Sequence, residues 1–252
     1  MKEKNKLDKK QQVQESEYVF PYHYLDLKVK IYKYVHYIEY LTLIEIVKNL
    51  LKPFKGQKIL DVGCGDGRFC FELNKENVKI TGIDYSKRAL VFAKAFNPNI
   101  RFFRMDIKQL KIKNRVDQIV LIETLEHIPP SHVSSVLKAL SETLVKKGKL
   151  IITVPSTNRK KSDKHYQHFS EESLENALTP FFQKVKIIGY GKTGFIRLLF
   201  INLKRLGIFL YLFDKFGFFT KKYFKFLKCF YRKNLATGKP EECLGLIAIC
   251  EK

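Results

Sequence analysis

No uncharged apolar run in this chain of 252 residues approaches the roughly 18 to 20 residues that cross a bilayer, so an integral membrane protein is not expected. The first 17 residues hold only Met1, Leu7 and Val13 as apolar positions. They lack the apolar stretch of a secretory signal, and a cytoplasmic location is expected. Five cysteines, odd in number and without a C-x-x-C pair, point to reduced thiols rather than a disulfide framework. Acids are scarce as well: 25 Asp and Glu face 47 Lys and Arg, a formal net charge of +22. Such an imbalance attracts nucleic acid or anionic lipid, whatever the fold. Internal repeats and low-complexity tracts are missing.

Apolar material is plentiful. Hydrophobic residues make up 45% of the chain, enough to exclude wholesale disorder and to build one α/β domain of this length. The expected organisation is a flexible charged tail over 1–17 followed by a single domain over 18–252. Within that domain, 18–55 reads as an N-terminal helical cap and 192–234 as a helical insertion.

From Leu25 to Leu51 the residues Ile31, Val35, Ile38, Leu41, Ile44 and Val47 recur three or four apart, which predicts a helix stopped by Pro53 and Gly56. Short apolar runs then alternate with helical patterns. Lys58–Val62, Val78–Ile83, Ile100–Arg104, Gln118–Ile122, Lys149–Val154, Val185–Ile188 and Leu244–Cys250 read as seven strands. Helices are predicted over Arg68–Asn74, after the capping residue Ser86, over Val133–Leu144 with a stop at Gly148, and after Ser170. Strands alternating with helices imply a mostly parallel, Rossmann-like sheet with helices on both faces.

The first strand runs into Asp61-Val62-Gly63-Cys64-Gly65-Asp66-Gly67 and then a helix. Glycines allow close backbone approach to a ligand, and the helix start supplies unpaired N–H groups. Asp84 ends the second strand, placed to accept hydrogen bonds from both hydroxyls of a ribose. A dinucleotide fingerprint needs G-x-G-x-x-G, but Arg68 occupies its third glycine position. The G-x-G-x-G form preceded by Asp61 resembles motif I of the class I S-adenosylmethionine-dependent methyltransferases. Further segments extend the likeness over about residues 57–190: Met105-Asp106-Ile107, Leu121–Pro129, and Lys147–Leu150 with Val154-Pro155.

This resemblance implies a sheet of order 3-2-1-4-5-7-6 with the last strand antiparallel. It also implies S-adenosylmethionine as cofactor, with Gly63, Cys64 and Gly65 along its methionine moiety, Asp84 at the ribose, and Asp61 and Tyr85 as further members of the cofactor-binding set. Asp106 and Ile107 would flank the adenine, and Glu123 would complete the cofactor set.

Methyl transfer requires a nucleophile aligned with the S–CH₃ bond, exclusion of water and sometimes removal of a proton. Glu123, Glu126 and His127, on a turn entering a helix, can converge beside such a site. Three roles stay open for them: shaping the loop under the acceptor, general-base chemistry by His127 with Glu126, or holding Mg²⁺ or Mn²⁺. The E-x-x-E-H pattern resembles the ubiquinone-pathway catechol O-methyltransferases. It is also similar to the metal-assisted small-RNA 3′-end 2′-O-methyltransferases, for which His165 or His168 would supply a further ligand. Tyr22, His23 and Tyr24 form an aromatic cluster that either caps the cofactor or packs the first helix.

Residues 192–234 are the compositional outlier, with eleven basic residues against the single acid Asp214 and thirteen of the chain's 34 aromatics. On a helix, Lys221, Lys225, Lys228 and Arg232 fall within about 60°, opposite Tyr223, Phe226, Leu227 and Phe230. That pattern fits a helix lying in an anionic membrane interface, each cation contributing on the order of 1 kcal/mol. A lid over the acceptor pocket also fits. Nucleic acid fits less well, because the aromatics segregate from the lysines. The expected protein is therefore a methyltransferase acting on an oxygen of a small-molecule or lipid-linked acceptor, peripheral to the membrane. An RNA 2′-O-methyltransferase and a non-catalytic cofactor-binding scaffold are the alternatives.

Overall fold

The computed structural model describes residues 7–28, 37–110, 112, 114–213 and 218–252. Its centre is an eight-stranded sheet: β1 (Lys58–Val62), β2 (Lys79–Asp84), β3 (Arg101–Arg104), β4 (Val116–Ile122), β5 (Leu144–Pro155), β6 (Lys184–Lys192), β7 (Thr237–Gly238) and β8 (Cys243–Glu251). The order is β3-β2-β1-β4-β5-β8-β6-β7. The first five strands pair in parallel, while β8 runs antiparallel between β5 and β6. This is the order the resemblance implied, extended by β7, whose two residues pair with Gly189 and Tyr190 at the sheet edge. So short an apolar-poor segment leaves no period-two signal to read.

Helices α1 (Lys9–Glu17), α2 (Leu25–Lys28), α3 (Ile38–Leu51), α4 (Arg68–Leu73), α5 (Lys87–Phe96), α6 (Pro130–Thr143) and α7 (Glu171–Leu178) surround the sheet. The insertion supplies α8 (Phe195–Phe213) and α9 (Phe218–Asn234). One core layer sets Val47 of α3, Phe69 of α4 and Leu90 of α5 against β1 and β2. The opposite layer packs Val136, Leu137 and Leu140 of α6 and Leu174 of α7 against β4 and β5. Ser86 and Ser170 cap α5 and α7 as expected, accepting hydrogen bonds from Ala89 N and Ser173 N.

Four expectations change. The predicted helix over 25–51 is seen as α2 and α3, and Ile31 and Val35 lie outside the described residues. Gly148 does not end α6. The helix stops at Thr143, and Gly148 lies inside β5 after a left-handed turn at Lys147 (φ 62°).

Residues 9–17 are not a free tail but a helix, opened by a capping box between Asp8 and Gln11. In α9, the face expected to meet a bilayer turns partly inward. Leu227 is buried with Phe200, Phe224 and Tyr231 in a third core cluster, and Tyr223 and Phe230 pack against it. Lys228 and Arg232 of the expected cationic stripe instead pair with Glu45 on α3, at 3.4 and 3.2 Å.

Candidate active site

Strand order reverses between β1 and β4, and the loops leaving the carboxyl ends of neighbouring strands open a crevice there. A cavity of about 620 Å³ fills it, lined by Glu126, His127 and all nine residues of the expected cofactor set.

The cofactor half begins at the glycine loop, where Gly63 and Gly65 have φ of 73° and 54°. A Cβ at Gly63 would meet the Thr124 side chain at 2.4 Å, and one at Gly65 would meet the Tyr18 hydroxyl at 2.6 Å. Only glycine therefore leaves this lane open. Asp84 accepts the backbone N–H groups of Gly65 and Ser86, each at 2.8 Å. Each carboxylate oxygen keeps a further lone pair for the hydroxyl groups of a ligand.

Burial pushes Asp84 up to about 6 and Asp61 up to about 7, the latter despite a hydrogen bond from Cys70 Sγ at 3.2 Å. With both carboxyls raised, a cationic ligand arriving here favours their ionised forms. Cys64 is buried, and desolvation raises its thiol well above the usual range, so it is a wall and not a nucleophile.

Helix α1 roofs the end of the cavity lined by Tyr85 and Asp106. Tyr85 donates from its hydroxyl to Gln14 Oε1 at 2.9 Å, and Gln11 Nε2 approaches Asp106 at 3.4 Å. Lys10 Nζ reaches the carbonyl of His165 at 2.8 Å, and Lys164 pairs with Glu17 at 2.7 Å. Sequence periodicity could not reveal these contacts, since α1 holds no buried residue and is fastened by polar groups.

The acceptor half lies beyond β4. Glu123 sits at φ 50°, a left-handed conformation uncommon outside glycine. Its carboxylate accepts the Tyr190 hydroxyl at 2.6 Å and faces Arg159 Nη1 at 3.2 Å. It therefore turns away from its expected neighbours. The groups that converge are Glu126, His127 and His165, one donor atom of each lying within 4.8 Å of the others.

Hydrogen bonding fixes the tautomers. His127 Nδ1 lies 3.2 Å from the Lys164 carbonyl, which can only accept, so Nε2 of the neutral ring carries the lone pair. His168 Nδ1 faces the Arg159 carbonyl at 3.0 Å, and its Nε2 then accepts from His165 Nδ1 at 2.9 Å. His165 Nε2 is thereby left as an acceptor too, and His168 is a positioning partner instead of a member of the trio.

Glu126 is fully buried with neither oxygen hydrogen-bonded. Desolvation, with the nearby Glu123 charge, raises its pKa well above the carboxylate range. Desolvation and the Lys164 charge lower His127 to about 4, so the imidazole is neutral at physiological pH. Tyr40, Tyr190, Arg197 and Tyr231 complete this end of the cavity. The last two come from the insertion, a contribution that composition alone did not reveal.

Residues 34–187 match a protein family described as Methyltransferase domain. Among curated proteins, the chain is 35% identical over 107 residues to the ubiquinone biosynthesis O-methyltransferase of Albidiferax ferrireducens, covering 40% of this chain and 41% of that one. It is 29% identical over 134 residues to the enzyme of the same name from Alkalilimnicola ehrlichii, covering 51% and 53%. The chain thus spans about half or less of the length of these relatives.

A SAM-dependent methyltransferase from Thermotoga maritima shares the fold with a TM-score of 0.60 at 17% identity, over 91% of this chain and 96% of that one. Another from Archaeoglobus fulgidus superposes with a TM-score of 0.56 at 17% identity, over 83% and 94%. With the family match extending across the glycine loop, Asp84 and the Glu126–His127 turn, the chain belongs to the methyltransferase-domain family, within the class I S-adenosylmethionine-dependent methyltransferases.

Proposed function

We propose that the protein transfers a methyl group from S-adenosylmethionine to an oxygen of a lipid-like or lipid-linked acceptor. The observation that carries this reading is the His127 imidazole, whose Nδ1 is engaged by the Lys164 carbonyl. Its free Nε2 lines the same cavity as the glycine loop and Asp84. The O-methyltransferase name shared by the curated relatives supports oxygen as the acceptor atom.

In the reaction the acceptor oxygen attacks the methyl carbon in line with the breaking S–CH₃ bond. His127 Nε2 takes the hydroxyl proton, and the sulfur keeps the bonding electron pair. Asp84 orients the donor through its ribose, and Asp61 faces its charged end. Tyr18 and α1 close the lane against water.

A second reading concerns Mg²⁺. A buried carboxylate without a hydrogen-bond donor, beside two imidazole acceptors, is electrostatically incomplete. Either a proton on Glu126 or a cation balances it, and the donor set fits a divalent ion. Glu126, His127 and His165 would hold such an ion, which would supply acidification of the acceptor hydroxyl. His127 would then be a ligand, and proton removal would fall to solvent.

Methyl-labelled S-adenosylmethionine incubated with total extract, followed by partition of the products, tests the acceptor class. Label in the organic phase is expected. Label in an RNase-sensitive aqueous polymer would replace this reading with RNA 2′-O-methylation. Chelation followed by Mg²⁺ or Mn²⁺ restoration separates the two chemical readings: unchanged turnover leaves the proton, not the metal.

A further inference from the structure

The insertion is apolar on the side where a surface helix is normally polar. Along α8, Phe195, Leu198, Leu199, Leu206 and Phe209 are all exposed, Phe195 by 80% and Leu198 by 60%. At 100° per residue these five fall within an arc of about 100°. The opposite side holds Phe200, wholly buried in the third core cluster, so the exposed stripe cannot be turned inward by rotating the helix. Phe226 on α9 is 49% exposed and adds an aromatic edge.

The two insertion helices are themselves cationic. Acids are missing from α8 and α9 alike. The two acids that α3 offers them are already engaged. Glu39 meets Arg197 and Lys204, each at 2.8 Å, and Glu45 meets Lys228 and Arg232. Lys221, Lys225 and Lys233 are exposed, and none has an ion-pair partner among the described residues.

We infer that the outer face of α8, with Phe226 and Lys233 on the same side of α9, docks the protein on an anionic lipid surface, while Lys221 and Lys225 on the further flank of α9 add charge attraction to the headgroups. Leucines and phenylalanines on a helix flanked by lysines suit the boundary between acyl chains and headgroups, where apolar burial and charge attraction act together. A second copy of the chain is disfavoured by charge, since a two-fold contact through this face would oppose like-charged lysines. A nucleic acid is disfavoured because most of the α8 stripe is aliphatic: Leu198, Leu199 and Leu206 offer bases no ring to stack on.

The same helix pair walls the acceptor end of the cavity through Arg197 and Tyr231. Docking would therefore set that wall beside the bilayer. The α8 stripe is the main apolar element of the surface, since of the α9 face expected from helical projection only Phe226 is exposed. This inference goes beyond the methyl-transfer reading, and vesicle binding and turnover are measured separately, so either can fail alone.

The test floats the full chain with phosphatidylcholine vesicles, with and without phosphatidylglycerol. Cys229, the exposed cysteine among five, carries an environment-sensitive dye. Flotation and a blue shift are expected with anionic vesicles, and both should fall with added salt. The variant Leu198→Ser/Leu206→Ser/Phe226→Ser and the variant Lys221→Ser/Lys225→Ser/Lys233→Ser should each lower the partition coefficient by about tenfold or more.

Calorimetric cofactor binding checks that both variants are folded. If either is not, the lipid and salt dependence of the labelled wild type decides. Equal binding to neutral vesicles overturns the inference. So does a dye shift that follows protein concentration without lipid, which indicates a second copy, or one that follows single-stranded RNA alone.

Discussion

Arg68, the first residue of α4, forms a buried two-pronged ion pair with Asp26, forty-two positions earlier in the chain, and donates from Nη1 to the His23 carbonyl at 2.6 Å. Beside it, the buried Asp66 carboxylate meets His23 Nδ1 at 3.0 Å. The glycine loop and the N-terminal cap are therefore fastened by charges contributed from both. The arginine that breaks the dinucleotide fingerprint holds the cap over the cofactor lane.

Removing one member of that pair strands the other in a buried site. Arg68→Met should cost about 3–5 kcal/mol. Asp26→Asn in the same background should recover part of that loss, because no uncompensated charge remains. Urea denaturation of the two single variants and the double variant reads the coupling. Additive losses would show that the pair is not energetically linked.

Asp84→Ala should abolish cofactor binding while leaving the far-ultraviolet spectrum and cooperative unfolding intact. Unaltered affinity by calorimetry would remove Asp84 from the ribose site.

Cofactor affinity should rise with pH. Burial holds Asp61 at about 7 and Asp84 at about 6, both above the unfolded carboxyl value of 3.8. In the cofactor-free protein, the stability contributed by their neutral forms is fully present below pH 4. It is lost as pH climbs through 6 and 7. A cationic donor favours the ionised forms, so binding should release protons between pH 5 and 7 and tighten toward pH 8. Titrations in buffers of differing ionisation heat measure that release. Asp61→Asn should diminish it, and proton uptake in this range would contradict the assignment.

Under the general-base reading, the acid limb of kcat should lie near pH 4, not near the ordinary histidine value of 6.5, because His127 is held at about 4. Lys164→Ala should move the limb upward, since that ammonium is the second cause of the shift. His127→Ala should lower kcat by about 10² to 10⁴ with cofactor affinity unchanged. A limb that ignores Lys164 would assign it to another group.

Two glycines with similar backbone angles should respond differently to alanine. Gly63→Ala places a Cβ 2.4 Å from Thr124 at φ 73°, whereas Gly194→Ala at φ 86° meets nothing within 4 Å. The first should lose about 1 kcal/mol of backbone strain plus a packing cost of about 1–3 kcal/mol. The second should lose only the backbone portion. Thermal unfolding of the two variants measures the difference.

Much of the protein is written locally. Strand signals depend on short apolar runs, caps on one serine, and the cofactor lane on glycines and acids fixed to strand ends. Hence the parallel sheet, its helices on both faces and the positions of Asp61, Asp84, Glu126 and His127 could be read from sequence. Tertiary structure decided what distance along the chain conceals.

Helix α1 has no apolar face to announce it, yet Lys10, Gln11 and Gln14 lie against the site through polar contacts with loops far along the chain. Helical projection placed Leu227 correctly on one side of α9 but could not say whether that side met lipid or Phe200. Sequence spacing likewise grouped Glu123 with Glu126, whereas the left-handed turn at Glu123 sends its carboxylate to Tyr190 and lets His165 take the place beside Glu126. Periodicity reports which residues share a face, and only packing decides what that face meets.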